Sequence, residues 1–325
     1  MSFEIKDLAG LSQPLTKLIE VVSDGLGVLY RPRNIRFEAD AKAYEIKTIE
    51  RAKAEAEIDT QAAQLRARQD RILGIAKDNP ELAERAKLRL LNREIEGQLN
   101  VEEIVERAIQ VLPDAVSGDP ISADWRRKFF LEAENVCEID MQLMWGKVLA
   151  GEIAKPGSFS LRTLETLRQL SQSEAELFVR ICGIAMEEGL VMLPDSDFNT
   201  ALKRFGFQFG DILQLSDAGL LLYGNYAKTF PRNETEDQAK IHAEVLNNNG
   251  VFIELSGPLL ISMQLPAIAF TQSGRELLPL IEKRPNEDYL TALGHSIRMR
   301  GVFAKRGTFV AQDAATSLLV FEQDL

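Results

Sequence analysis

Histidine and cysteine are nearly missing from this 325-residue chain, which has two of each. No Cys-x-x-Cys pair, no His-Glu-x-x-His run and no Gly-x-x-x-x-Gly-Lys-Ser/Thr loop occurs. Those absences remove the dithiol redox motif, the zinc-hydrolase helix and the P-loop nucleotide site. His242 is followed two residues later by Glu244, a spacing that does not share a helix face, and His295 reads as a core-edge or surface residue. Cys137 and Cys182 sit far apart in apolar helical contexts, so the expectation is two buried free thiols in a reducing cytoplasm. No apolar run approaches the ~20 residues of a membrane span. The start, MSFEIKDLAG, lacks the basic and apolar regions of a secretory signal. No cofactor or metal is expected.

Positive charge is also in deficit. Lys and Arg number 38 against 49 Asp and Glu, a formal net charge of -11. Such a chain repels polyanions, which disfavours nucleic acid as a partner of the molecule as a whole. The carboxylate–lysine triplets Asp40-Ala41-Lys42 and Glu45-Ile46-Lys47 have the residue types of a metal-dependent nuclease, but they fall in a charged helix where such triplets arise by chance.

What is there is mostly helix. Residues 1–33 form an apolar segment in which Pro14 begins a helix, with Leu15, Leu18, Ile19, Val22, Leu26 and Leu29 on one side. Arg31, Arg33 and Arg36 follow. An apolar helix beside arginines suits an anionic membrane surface, or packs against the body or another subunit. Residues 34–112 read as a charged helical arm, rich in Ala, Glu, Lys, Arg and Gln. Ile58, Leu65 and Ile72 repeat at seven, a narrow edge hidden by folding back or by oligomerising. Asp78-Asn79-Pro80 breaks the arm, and Asn100 with Glu103 has the pattern of a second helix cap.

Residues 121–190 read as a central helical domain. Its corner, WGKVLAGEIAKPGSFS, contains Trp145, Gly146, Gly151, Pro156, Gly157 and Ser160. Each small residue has a use as turn, cap or close-approach position, and no histidine lies near enough in sequence to activate a serine. Ser171 with Glu174 is a capping box for the next helix, which Gly189 is placed to end. Residues 191–325 read as an α+β domain. Two helices, two strands at Gly250–Leu255 and Leu259–Phe270, and a helix capped by Thr271 or Ser273 resemble a winged-helix unit. From Gly206 to Tyr226 there is no Lys or Arg, so the helix that would enter a DNA groove lacks phosphate-contacting groups. Arg298, Arg300, Lys305 and Arg306 make a basic patch that meets an anion or neutralises acidic neighbours. The fold expected is mainly α with a smaller α+β part: a long N-terminal helical arm, a central helical corner and a winged-helix-like C-terminal unit.

The runs MWGKVLAGEIAKPGSFSLRTLETL and PLTKLIEVVSDGLGVLYRPRNIR resemble a bacterial family of proteins of unknown function, the one numbered 2806. That resemblance implies no established activity, cofactor or catalytic residue. The segment MWGKVLAGEI is also similar, more loosely, to a segment of abortive-infection-type proteins, which implies a role in phage defence. The function expected is that of a non-enzymatic interaction or scaffold protein in the cytoplasm. It self-associates through the helical arm and docks a protein through the C-terminal domain. The alternatives are a defence effector held peripherally at the inner membrane surface, and a DNA-binding winged-helix protein or an enzyme of unrecognised type.

Overall fold

The structure is a computed structural model, and it describes residues 12–27, 30, 74–194, 198–230, 244–248, 250–256, 263–282, 284–311 and 317–324. Arg31, Arg33, Arg36, the heptad Ile58–Leu65–Ile72, both carboxylate–lysine triplets and His242 lie outside these residues. The fold is mainly α with a smaller antiparallel β part. The chain divides into two compact units, Met1–Leu164 and Glu165–Leu325.

In the first unit, α1 (Gln13–Leu26) begins at Pro14, whose missing N–H costs nothing in a first turn. Leu18, Ile19 and Val22 on its apolar side are buried, and α1 packs against α3 (Ala123–Ala133) and α4 (Ile139–Ala154). These three residues of the stripe are therefore spent inside the body, while Leu15 and Leu26 are half-buried. Gly25 permits this contact, since a Cβ there would lie 2.0 Å from the Phe130 ring. Asp24 pairs with Arg126 at 3.5 Å. Lys17 Nζ donates to the carbonyl oxygens of Ser117 and Asp119, tying α1 to the loop before α3. Burial holds the Lys17 ammonium below the ordinary lysine pKa, opposed by Asp119, Glu152 and Glu20.

α2 (Pro80–Val111) is 32 residues long, ~48 Å. Asn79 caps it, accepting from Leu82 N at 3.2 Å. The second cap expected at Asn100 does not form, and α2 runs straight through it. The Asn100 side chain reaches sideways instead, donating to Glu134 O at 2.9 Å and accepting from Gln142 at 3.3 Å. A tertiary hydrogen bond has displaced the local one. Only the C-terminal half of α2 packs on the body, through Gly97, Val101, Ile104, Val105 and Ala108. Cys137, expected to be buried, is exposed, whereas Cys182 is buried.

In the second unit, α5 (Leu161–Gln169), which spans the division, and α6 (Gln172–Cys182) lead into β1 (Leu190–Met192). The Ser171–Glu174 capping box is present. α6 stops at Cys182, seven residues before Gly189. Gly189 adopts φ +79 at the turn into β1, where it serves the strand rather than the helix end. Next come α7 (Phe198–Arg204), α8 (Phe209–Asp217) and β2 (Leu221–Phe230). β3 (Glu244–Asn248), β4 (Val251–Ser256), β5 (Met263–Phe270) and α9 (Gln272–Leu277) follow. α10 (Glu287–Arg298), β6 (Phe303–Ala311) and β7 (Ser317–Asp324) complete the chain. All pairings are antiparallel, in two sheets ordered β1-β5-β2 and β3-β4-β6-β7.

Two buried polar side chains lock this unit. Asn248 donates to Ala185 O at 2.8 Å and accepts from Asn286 N, joining β3 to the segments after α6 and before α10. Tyr289 on α10 donates to Met192 O and accepts from Met192 N, each at 3.0 Å. Its hydroxyl thus satisfies backbone groups on β1, a strand paired on only one side, and burial pushes its pKa far above the usual tyrosine value. Tyr289→Phe leaves a buried donor and acceptor unpaired. It is expected to lower stability by about 1–3 kcal/mol, read from the urea midpoint.

Candidate functional site

The signature corner is built from packing and hydrogen bonds. Trp145 is fully buried, 5.1 Å from the Phe129 ring, which in turn stacks on Trp125 at 4.9 Å. Among the described residues the buried indole N–H groups of Trp125 and Trp145 have no partner, so both rings act here as apolar volume. Gly146 faces α2 so closely that a Cβ would lie 2.8 Å from Arg107 Cβ and 3.1 Å from Ala108 N. Gly151 faces the Phe159 ring, where a Cβ would come within 2.8 Å. Gly157 turns the chain at φ +85 after Pro156, and Ser160 Oγ accepts from Thr163 N at 3.3 Å to cap α5. Gly146→Ala must push α2 away. It is expected to lower stability by about 1–3 kcal/mol, checked by the same denaturant titration.

Glu152 holds the corner together, a role that residue-by-residue reading of the sequence missed. It is buried, and its two oxygens accept from Gly157 N at 2.7 Å and Phe159 N at 3.0 Å. The spacing Glu-x-x-x-x-Gly-x-Phe is the only sequence trace of this clasp. Both oxygens of the carboxylate are thus engaged by backbone donors of the corner.

The basic patch of the second unit is largely engaged. Arg306 pairs with Glu287 at 2.6 Å, and Lys305 stands opposite Glu254 in the β4–β6 register. Arg300 bonds Ser296 O at 2.7 Å, and Arg298 ends α10. His295 is exposed on that helix, and no cluster of His, Cys, Asp and Glu suited to a metal occurs among the described residues. No helix among them is long and apolar enough to cross a membrane.

Among the described residues, two apolar helix faces stand out without a structural explanation. The first is the N-terminal half of α2. From Pro80 to Glu96 every residue is exposed except half-buried Ala83. At ~100° per residue, Leu88, Leu91, Ile95 and Leu99 fall on one stripe, ~140° around the helix from the core-facing residues. Their exposures are 52%, 56%, 50% and 47%. The stripe therefore points away from the body that the other side of α2 packs on. Residues 74–78 are helical and a single residue, Asn79, links them to α2. An antiparallel helix pair needs a link of two to five residues, so residues 74–78 do not double back over the stripe.

The second surface is the outer side of α8. Ile212 and Leu215 face inward, while Phe209, Leu213 and Asp217 form an outward row one turn apart. Lys203 and Arg204 end the preceding helix, with Arg204 5.8 Å from the Phe205 ring, and no cation lies on α8 itself.

A family model described as a protein of unknown function (DUF2806) matches residues 84–294. The match covers the signature corner, most of α2 and all of α8, and it ends inside α10, before Arg298, Arg300, Lys305 and Arg306. Neither a curated protein nor a solved structure matches the chain.

Proposed function

We propose a function from one premise: the chain belongs to the DUF2806 family of proteins of unknown function. On this reading it is a non-enzymatic interaction protein, which self-associates through its helical arm and docks a protein partner through its second unit. The observation that carries this is the α2 stripe, four large apolar side chains about half exposed and facing away from the body. An apolar stripe of this kind on a projecting helix is covered by another helix, and a second copy of the chain supplies one with the same stripe. Burying what remains exposed is worth roughly 1 kcal/mol per side chain. Eight such side chains give a gross gain near the ~4–15 kcal/mol cost of association, so pairing depends on concentration and on what the rest of the arm adds. Light scattering of the full chain across a dilution series tests this: the mass should exceed the monomer's and fall on dilution.

The order of helices and strands in the second unit, with strand order β1-β5-β2, supports a winged-helix-like module. Its α8 lacks the cations that phosphate contact requires, which favours protein over DNA as its partner. The membrane-surface alternative rests on the apolar start beside Arg31, Arg33 and Arg36, and its phage-defence part on a short likeness. Burial of Leu18, Ile19 and Val22 removes much of the apolar face it needs.

A further inference from the structure

α8 carries an acid where its own stability disfavours one. Asp217 is the last residue of the helix, exposed, with no basic residue in the final turn. A carboxylate there opposes the negative end of the helix dipole. At the opposite end Asp211 is accounted for, since its side chain accepts from Gln208 N at 2.8 Å in a capping box. Asp217 has no such partner among the described residues. It stands in line with Phe209 and Leu213, which are 39% and 36% exposed. β2, packed against α8, exposes two further large apolar side chains, Leu222 and Tyr226. From Gly206 to Ala227 the chain contains no Lys or Arg, and the first cation after it, Lys228, is paired with Glu188 at 2.8 Å.

We infer that the Phe209–Leu213–Asp217 row docks a cationic amphipathic helix of a protein partner. Two apolar side chains of that helix would pack on Phe209 and Leu213, and a lysine or arginine beyond them would meet Asp217. The charge match selects this occupant at the Asp217 end of the row, where a phosphate or a carboxylate would meet a like charge; the neighbouring cations Arg180, Lys203 and Arg204 stand at the other end, at or before Phe207. The inference rests on the docking half of the proposed function and is independent of self-association.

The test uses the full chain and two synthetic helical peptides with the same leucine row, one flanked by lysines and the other by glutamates. Fluorescence anisotropy should show the lysine peptide binding at least ~10-fold more tightly, with the difference shrinking as salt rises. Leu213→Asp should abolish binding while circular dichroism stays unchanged, and Asp217→Lys should reverse the preference between the peptides. Equal binding of both peptides, no binding of either, or binding unmoved by Leu213→Asp overturns the inference. The solution mass of the same samples separates the two readings. A monomer that binds the lysine peptide removes self-association alone, and an oligomer that ignores it removes this docking row alone.

Discussion

Replacing Leu91 and Ile95 together by glutamate is expected to give a folded chain that stays monomeric at every concentration where the parent associates. Both side chains are about half exposed and lie on the side of α2 away from the buried Val101, Ile104 and Val105. Their loss therefore removes nothing from the core, and glutamate is a good helix former. In a pair of helices the change removes about 4 kcal/mol of apolar burial and places four carboxylates against one another. The paired control is Leu90→Glu, which is equally exposed but lies on the core-facing side of the helix, beyond the body. It should leave the mass unchanged. Light scattering reads both variants, and thermal unfolding shows that neither has lost its fold.

The second large effect falls on the signature corner. Glu152→Ala leaves the backbone N–H groups of Gly157 and Phe159 without their acceptors, and Phe159 N is buried. Unsatisfied buried donors cost about 1–3 kcal/mol each, so a loss of roughly 2–5 kcal/mol is expected, a large share of a domain's total stability. Glu152→Gln keeps one carbonyl acceptor and should recover part of that loss. Differential scanning calorimetry separates the three proteins. A Glu152→Ala variant as stable as the parent would show that the carboxylate is not structural, and would reopen the corner as a site of chemistry.

The elements legible in the sequence were those fixed by neighbouring residues. Pro14 starting α1, Asn79-Pro80 starting α2, the Ser171–Glu174 box and the Thr271 cap, which accepts from Gly274 N at 3.0 Å, all depend on contacts within four residues. The misread elements were decided at a distance. Asn100 has the sequence of a cap, yet Glu134 and Gln142 compete for its side chain across the bundle. β2 lacks a strand's signature in sequence, because a register shift between Leu222 and Tyr226 breaks its alternation and Gly224 and Asn225 lie inside it. β3 ends in a pair of asparagines, poor strand formers, and Asn248 is secured by carbonyls more than sixty residues away.

The interaction surfaces divide the same way. The lack of cations on α8 is visible in composition alone, and its outward row follows from helical spacing. The α2 stripe was hidden in ELAERAKLRLLNREIEGQL, where apolar residues occur on two sides of the helix. Sequence alone does not tell which side the body covers, and packing of Val101, Ile104 and Val105 decides it.

Self-association through the arm requires the α2 stripe to meet its counterpart on a second copy. A single nitroxide at Asn92→Cys, beside the centre of the stripe, reads this directly once exposed Cys137 is replaced by serine and Cys182 is left buried. Packed helices lie about 8–10 Å apart, so pulsed dipolar spectroscopy should give a distance between copies below roughly 30 Å, lost on adding the Leu91 and Ile95 glutamates. A labelled chain that shows no coupling at concentrations where its mass is that of an oligomer would contradict the assignment.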